Sequence, residues 1–360
     1  MSGAPHDGSR PLRVAIVSPT FGGFGGLEAF VLAVAGGLPM TPELEVRLVF
    51  KRVAGFALRP ELERALAPLE GRVDFVDRGS AALRRAIAWA DVVHAQNASP
   101  DVVLHTRLRG RRLLINVINH RTPGNSLHQR TWDFCLRRAH RRFYISDFVR
   151  RSWEGGATWR GSEVVFPLCE LADGLTPPAT RRGFVFAARW VANKGLDTLV
   201  DAYAAAKLDP TAWPLALLGD GPLRESTLAR IAAHGLRGVT TPGFVMQAEK
   251  ANAIRAARWM VVPPNTREDF GLTAIEARHL GVPCIITRDG GVPEAAGDEA
   301  LACAPGDVAG LAACLRAAAA MGEDDYAARA RRTRATLLPR LAGPQFYARA
   351  YRELAGDGSR

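Results

Sequence analysis

Lysine is nearly absent from this 360-residue chain. It has only four, Lys51, Lys194, Lys207 and Lys250, against 43 arginines. Where guanidinium serves almost every cationic position, a lysine marks a place that suits a compact ammonium. Cysteine is sparse too. Cys135, Cys169, Cys284, Cys303 and Cys314 are scattered, with no CxxC and no histidine cluster beside them. Reduced, buried thiols are expected, not a metal site or a disulfide scaffold. No apolar run is long enough for a membrane span. The opening "MSGAPHDGSRPLRVAIVS" has no signal-peptide core before its first strand, so a cytoplasmic location is expected. A DxD metal motif and a GxGxxG dinucleotide fingerprint are also missing.

The net charge is +11, unevenly placed. Segment 105–160 holds 13 arginines against Asp133, Asp147 and Glu154, a net of +10. Such density points to an anionic partner, and a phospholipid surface and nucleic acid both qualify. No RRM, KH or helix-turn-helix signature accompanies it, and aromatics are not interleaved as a stacking platform needs. The membrane surface is therefore favoured and nucleic acid is not expected. Oligomeric state is not legible.

Short apolar runs alternate with amphipathic stretches. "LRVAIVS" (12–18), "EVRLVF" (45–50), "RVDFV" (72–76), "DVVHA" (91–95), "RLLINVI" (112–118), "RFYIS" (142–146) and "EVVFP" (163–167) read as buried strands. A proline-rich linker follows at 172–182. The alternation then restarts with "GFVFAARW" (183–190), "PLALLG" (214–219), "GVTTPG" (238–243), "RWMVVPP" (258–264) and "PCIIT" (283–287). Strand–helix alternation with apolar strands predicts parallel sheets covered on both faces. The expected architecture is α/β: two doubly wound Rossmann-like domains, 11–171 and 183–340, with a cleft between them. A last amphipathic helix in 341–360 is expected to pack back on the first domain. Ligands in such sheets bind at the carboxyl ends of the strands.

Three stretches could carry chemistry. In "SPTFGGFGGLEAF" (18–30), Gly22, Gly23, Gly25 and Gly26 follow the first strand and open a helix, which suits a phosphate loop and a plain turn equally. In "ARWVANKGL", Arg189 and Lys194 follow an apolar strand, and Asn193 is placed to cap the next helix. A guanidinium fork and an ammonium there suit a diphosphate, although two solvated cations fit the residues as well. "NTREDFGLTAIEARHLGVP" (265–283) is more specific. Glu268 precedes a helix starting near Gly271, and Glu276 lies inside it. Phe270, Gly271 and Leu272 bring backbone N–H groups to the positive end of its dipole. Carboxylates beside an anion site suit a ligand with both hydroxyls and phosphates.

With "FGGFGGLE", "NHRTPG", "ARWVANKGLD", "LLGDGPLRE", "TPGFV", "EDFGLTAIEA" and "GVPCIITRDGGVPE", the chain resembles glycosyltransferase family 4, the retaining glycosyltransferases of the GT-B fold, almost end to end. The resemblance implies a hexosyltransferase that uses a nucleoside diphosphate sugar, UDP- or GDP-linked, without cofactor or metal. Arg189 and Lys194 would hold the diphosphate, Glu268 the donor sugar and Glu276 the ribose. Phe270, Gly271 and Leu272 would present amides to the donor. Gly219, Asp220 and Gly221 of "GDGP", with Phe244 and Val245, would line the nucleoside pocket. Gly22, Gly23, Gly25 and Gly26 would face the sugar-phosphate, and His120 the transferred sugar. The acceptor would be a glycan or a lipid-linked precursor of a bacterial surface polysaccharide, lipopolysaccharide or glycolipid, met at the inner face of the cytoplasmic membrane through the basic segment. His94 is read as structural. Arg121, Asp269, Arg278 and His279 depart from the family pattern. A nucleotide-sugar epimerase and a non-catalytic nucleotide- or glycan-binding protein are the alternatives.

Overall fold

A computed structural model describes residues 10–38, 41–124, 126–167, 172 and 174–356. The opening residues 1–9, Cys169 and Asp173 of the linker lie outside them. The chain forms two compact units, residues 1–170 with 341–360, and residues 171–340.

The first unit is built on a parallel sheet. Its strands are β1 (Leu12–Thr20), β2 (Leu44–Arg52), β3 (Val73–Val76), β4 (Val92–Gln96), β5 (Arg112–Val117), β6 (Arg141–Tyr144) and β7 (Ser162–Val164). Their spatial order is β3-β2-β1-β4-β5-β6-β7. Successive side chains of a strand face opposite ways, and β1 shows why its sequence is apolar throughout. Val14 and Ile16 pack with helices Gly26–Gly37 and Pro344–Gly356 on one face. Ala15 and Val17 pack on the other, in the layer of helices Ala81–Trp89, Pro100–Leu108, Leu127–Arg137 and Asp147–Glu154.

The second unit repeats the plan with β8 (Phe184–Ala187), β9 (Leu215–Leu218), β10 (Val239–Gly243), β11 (Trp259–Val262), β12 (Cys284–Thr287) and β13 (Leu301–Cys303). Their order is β10-β9-β8-β11-β12-β13, all parallel. β13 goes beyond the strands read from the sequence and is defined by its pairing with β12. The alanine-rich tract near 311–321 is helix Val308–Ala320, whose Leu311, Ala312, Leu315 and Ala318 are buried at helical spacing.

The C-terminal helix Pro344–Gly356 belongs to the first unit, in which Tyr347, Tyr351 and Leu354 enter the core. His94, fully buried on β4, meets it there. Its Nδ1 lies 2.7 Å from the Tyr351 hydroxyl, its Nε2 3.1 Å from Gln96 Nε2, and its ring stacks on Tyr347. Burial pushes the imidazole pKa down to about 4.

Much of the basic segment is consumed inside this unit. Arg142 is buried and donates to the carbonyls of Leu136 and Ala139 at 2.8 and 2.9 Å. Arg150 and Arg151 share Asp147, and Arg141 pairs with Glu353 of the C-terminal helix at 2.7 Å. Arg278, one of the departures from the family pattern, is buried and donates to the carbonyls of Thr333 (3.1 Å) and Ala295 (2.7 Å) in the second unit. It ties helix Leu272–His279 to its neighbours.

His94 sets a pH dependence. The unfolded chain takes up a proton near the ordinary histidine value of about 6.5, whereas the folded chain refuses it down to about 4. Stability is therefore complete above about pH 6.5 and falls as pH drops through that window, by about 3 kcal/mol in full. Thermal denaturation from pH 7 to 4 should show the first unit losing Tm, and His94→Gln should reduce that slope, with His140, which burial also lowers to about 4, supplying the remainder. An unchanged slope in the variant would show that the acid sensitivity lies elsewhere.

Candidate functional site

The strand order of the second unit places the site. It reverses between β8 and β11, so the segments leaving the carboxyl ends of these two neighbours diverge and leave space for a ligand. The segment after β8 carries Arg189 and Lys194, and the segment after β11 carries Glu268. Residues 74 positions apart thus meet: Lys194 Nζ donates to Glu268 Oε2 at 2.6 Å.

Gly195 permits this approach. It has φ +70°, and a Cβ there would overlap the carbonyl oxygen of Pro263. Asn265 N–H donates to the Asn193 carbonyl at 3.0 Å, closing the two segments further. Asn193 does not cap the following helix. It lies in the short 3-10 turn Ala192–Lys194, and left-handed Gly195 is the N-cap of helix Leu196–Ala206. A third segment steadies Glu268. Its N–H donates to Asp289 Oδ2 at 2.8 Å, and its carbonyl accepts from Gly291 N–H at 2.9 Å.

Arg189 is exposed and, among the described residues, its side chain makes no hydrogen bond or ion pair. The two cations read together from the sequence thus differ: one is held by a carboxylate and the other is uncommitted.

Helix Leu272–His279 starts on Gly271, whose φ of +98° requires glycine. The first N–H groups of a helix have no intrahelical acceptor, and this set follows Glu268 directly. Phe270 is buried, whereas Gly271 and Leu272 form the helix start itself. Glu276, one turn on, is held by Lys250 of helix Gln247–Ala256, with Nζ 2.8 Å from Oε1. Its other oxygen, Oε2, is buried without a hydrogen-bond partner among the described residues. Lys250 was not among the sequence candidates. The signal that could have found it is the scarcity of lysine: two of the four hold Glu268 and Glu276.

The "GDGP" turn supports the Arg189 segment from below. Trp190 N–H donates to the Asp220 carbonyl at 2.8 Å and Leu223 N–H to the Trp190 carbonyl at 3.1 Å. Gly219 N–H reaches the Gly243 carbonyl at 2.8 Å, which brings the end of β10 alongside. Phe244 beyond it is 68% exposed, a large apolar ring left facing solvent, and Val245 is half-buried. Gly221 follows in the same turn, and Asp220 stays half exposed.

The remaining candidates belong to the first unit. Gly22, Gly23, Gly25 and Gly26 leave the carboxyl end of β1, and a Cβ on Gly22 (φ +91°) would overlap the Ala57 carbonyl. Gly25 is the N-cap of helix Gly26–Gly37. Glu28 sits at this helix start, accepts from the Thr20 hydroxyl at 3.0 Å, and has its pKa raised by burial. A carboxylate at that position weakens the case for a bare phosphate loop. His120 follows β5 at the same carboxyl edge, with its ring 5.5 Å from that of Phe148. Arg121 N–H donates to Ser152 Oγ at 2.9 Å.

Among the described residues no cluster of histidine, cysteine, aspartate or glutamate could hold a metal ion. Nor is any helix long and apolar enough to cross a membrane.

Comparison with known proteins bears on sequence similarity and fold. The family described as "Glycosyl transferases group 1" matches residues 181–320, which lie within the second unit. The D-rhamnosyltransferase WbpZ of Pseudomonas aeruginosa is 30% identical over 217 residues, 56% of this chain and 53% of that protein. A glycogen synthase of Mycobacterium tuberculosis is 32% identical over 146 residues, 40% of this chain and 34% of that protein. The chain thus spans about half or less of the length of these curated relatives. Among solved structures, Anabaena HepE in complex with UDP and glucose superposes with a TM-score of 0.78 at 16% identity, covering 96% of this chain and 99% of that one. The lipopolysaccharide outer core galactosyltransferase WaaB gives 0.67 at 17% identity, covering 96% and 99%. These two establish the fold. In sequence, residues 181–320 are similar to the group 1 glycosyl transferases.

Proposed function

We propose that this chain is a retaining hexosyltransferase that takes its sugar from a nucleoside diphosphate donor and passes it to a glycan or lipid-linked acceptor of cell-surface polysaccharide or glycolipid synthesis at the cytoplasmic face of the membrane. The observation that carries the proposal is the Lys194–Glu268 pair at the switch point of the second sheet, with a helix start directly behind it. The UDP in HepE supports a uridine nucleotide.

An ammonium has three donors. Lys194 can keep one on Glu268 and turn the others to phosphate oxygens, as a compact ammonium that needs little room. Arg189, uncommitted, adds a fork. As the C1–phosphate bond breaks, both cations and the N–H groups at Gly271 and Leu272 stabilise the charge gathering on the diphosphate. Glu268 then faces the hexose hydroxyls. The acceptor oxygen bonds to C1 on the face the phosphate leaves, and its proton passes to the departing phosphate oxygen. No enzymic nucleophile or metal takes part.

Glu276 accepts from a ribose hydroxyl through the oxygen that is buried and unpartnered, and Lys250 is the positioning residue that aims it. Phe244 and Val245 offer the base an apolar wall.

Incubation with UDP-, GDP-, ADP- and dTDP-sugars, read by mass spectrometry, should reveal slow release of nucleoside diphosphate from one donor. Lys194→Ala should lower that release about 100- to 1,000-fold with the fold retained. Release at the normal rate in the variant would remove the proposed role.

Release should continue in EDTA. Its full loss, restored by a divalent cation, would overturn the metal-independent mechanism.

Lys250→Met should weaken nucleoside diphosphate binding by about tenfold and narrow the preference for ribose over 2′-deoxyribose, with Lys250→Arg restoring part of both. Calorimetry on the two nucleotides checks this. Equal losses for both would make Lys250 merely structural.

A further inference from the structure

Two neighbouring helices of the first unit, Pro100–Leu108 and Leu127–Arg137, carry large apolar side chains on the wrong side. Each buries one face against the sheet, through Val102, Val103 and Thr106 in the first and Gln129, Cys135 and Leu136 in the second. On their outer faces Leu104 and Leu108 are 56% and 72% exposed, and Leu127 and Phe134 are 78% and 52% exposed. Spacings of four and of seven residues set each pair on one face, opposite the buried one. The helices lie side by side in one layer, so the four side chains project in one direction.

The surround is cationic. Arg107 and Arg109 flank the leucines, and Arg130 sits between Leu127 and Phe134; all three are exposed. Arg138 lies over the Phe134 ring, its guanidinium carbon 3.2 Å from the centroid. Asp133 is the one carboxylate on the outer side of the second helix and is paired with Arg137 at 3.0 Å.

We propose that this two-helix face docks on an anionic lipid bilayer, with Leu104, Leu108, Leu127 and Phe134 entering the acyl boundary and the arginines meeting headgroup phosphates. This deepens the reading of an acceptor met at the membrane, and rests on it. Charge selects the occupant. A second copy of the chain would set arginines against arginines, and a nucleic acid would leave leucines facing phosphate. A bilayer edge offers apolar depth and negative charge in the matching order.

The test is co-sedimentation of the full chain with vesicles of phosphatidylcholine alone, or with 30% phosphatidylglycerol as a chosen probe. Binding is expected only to the anionic vesicles. Leu104→Asp with Leu108→Asp should reduce it about tenfold or more, and so should Leu127→Asp with Phe134→Asp. These residues are exposed, so Tm and nucleoside diphosphate binding should stay as in the parent chain. Phe134→Trp should show a blue-shifted emission on anionic vesicles, which reports insertion rather than surface charge. Absence of binding, leucine-independent binding, or an unshifted tryptophan overturns the proposal. So does leucine-dependent self-association or capture of an acidic protein without lipid binding. If nucleotide binding fails while vesicle binding persists, the transferase reading falls and the surface stands.

Discussion

The site depends on the ion pair between Lys194 and Glu268. It joins segments leaving two neighbouring strands that are far apart in sequence, and it does so at the point where the strand order reverses. An ammonium and a carboxylate 2.6 Å apart, each only partly exposed, hold one another in position before any ligand arrives. The pair also keeps a cation from standing unpaired where water is scarce. Around it the backbone closes: Gly195 lets the first segment lie on Pro263, and Asp289 takes the N–H of Glu268. A looser site would leave lysine to solvent and glutamate to any nearby arginine.

The second carboxylate follows the same logic with a different lysine. Lys250 occupies one oxygen of Glu276 and leaves the other buried and open. A buried acceptor without a donor costs free energy, so it persists where a ligand or water completes it. The buried arginines of this chain serve elsewhere. Arg142 and Arg278 each satisfy several carbonyls from a buried position, which suits a planar fork with five donors. The two glutamates of the proposed ligand site are thus held by ammonium groups, while buried guanidinium groups tie backbone carbonyls together in the framework.

That division bears on the basic segment. A net of +10 over residues 105–160 reads as one charged surface in the sequence, yet Arg141, Arg142, Arg150 and Arg151 are engaged within the unit. What remains outward is narrower and is organised around apolar side chains. The amphipathic character that counts is on the outer face of two helices, where periodicity would place the core on whichever apolar side is available. Burial decides which side that is, and burial is a tertiary property.

The sequence by itself determined the alternation of strands and helices, the two-fold repetition of the doubly wound plan, and the candidate carboxylates and cations. Each rests on local pattern: apolar runs of strand length, glycine where φ must be positive, and the spacing of Glu268 and Glu276. Only the tertiary structure decided which of these residues meet. Lys194 finds Glu268 because β8 and β11 are neighbours, a matter of strand order that no local period encodes. Lys250 joins Glu276 across two helices, and His94 becomes a core residue because a helix 257 positions away lays Tyr351 against it. β13 and the inversion of Asn193 from cap to turn escaped for the same reason. A three-residue strand and a 3-10 turn owe their form to neighbours contributed by other parts of the chain.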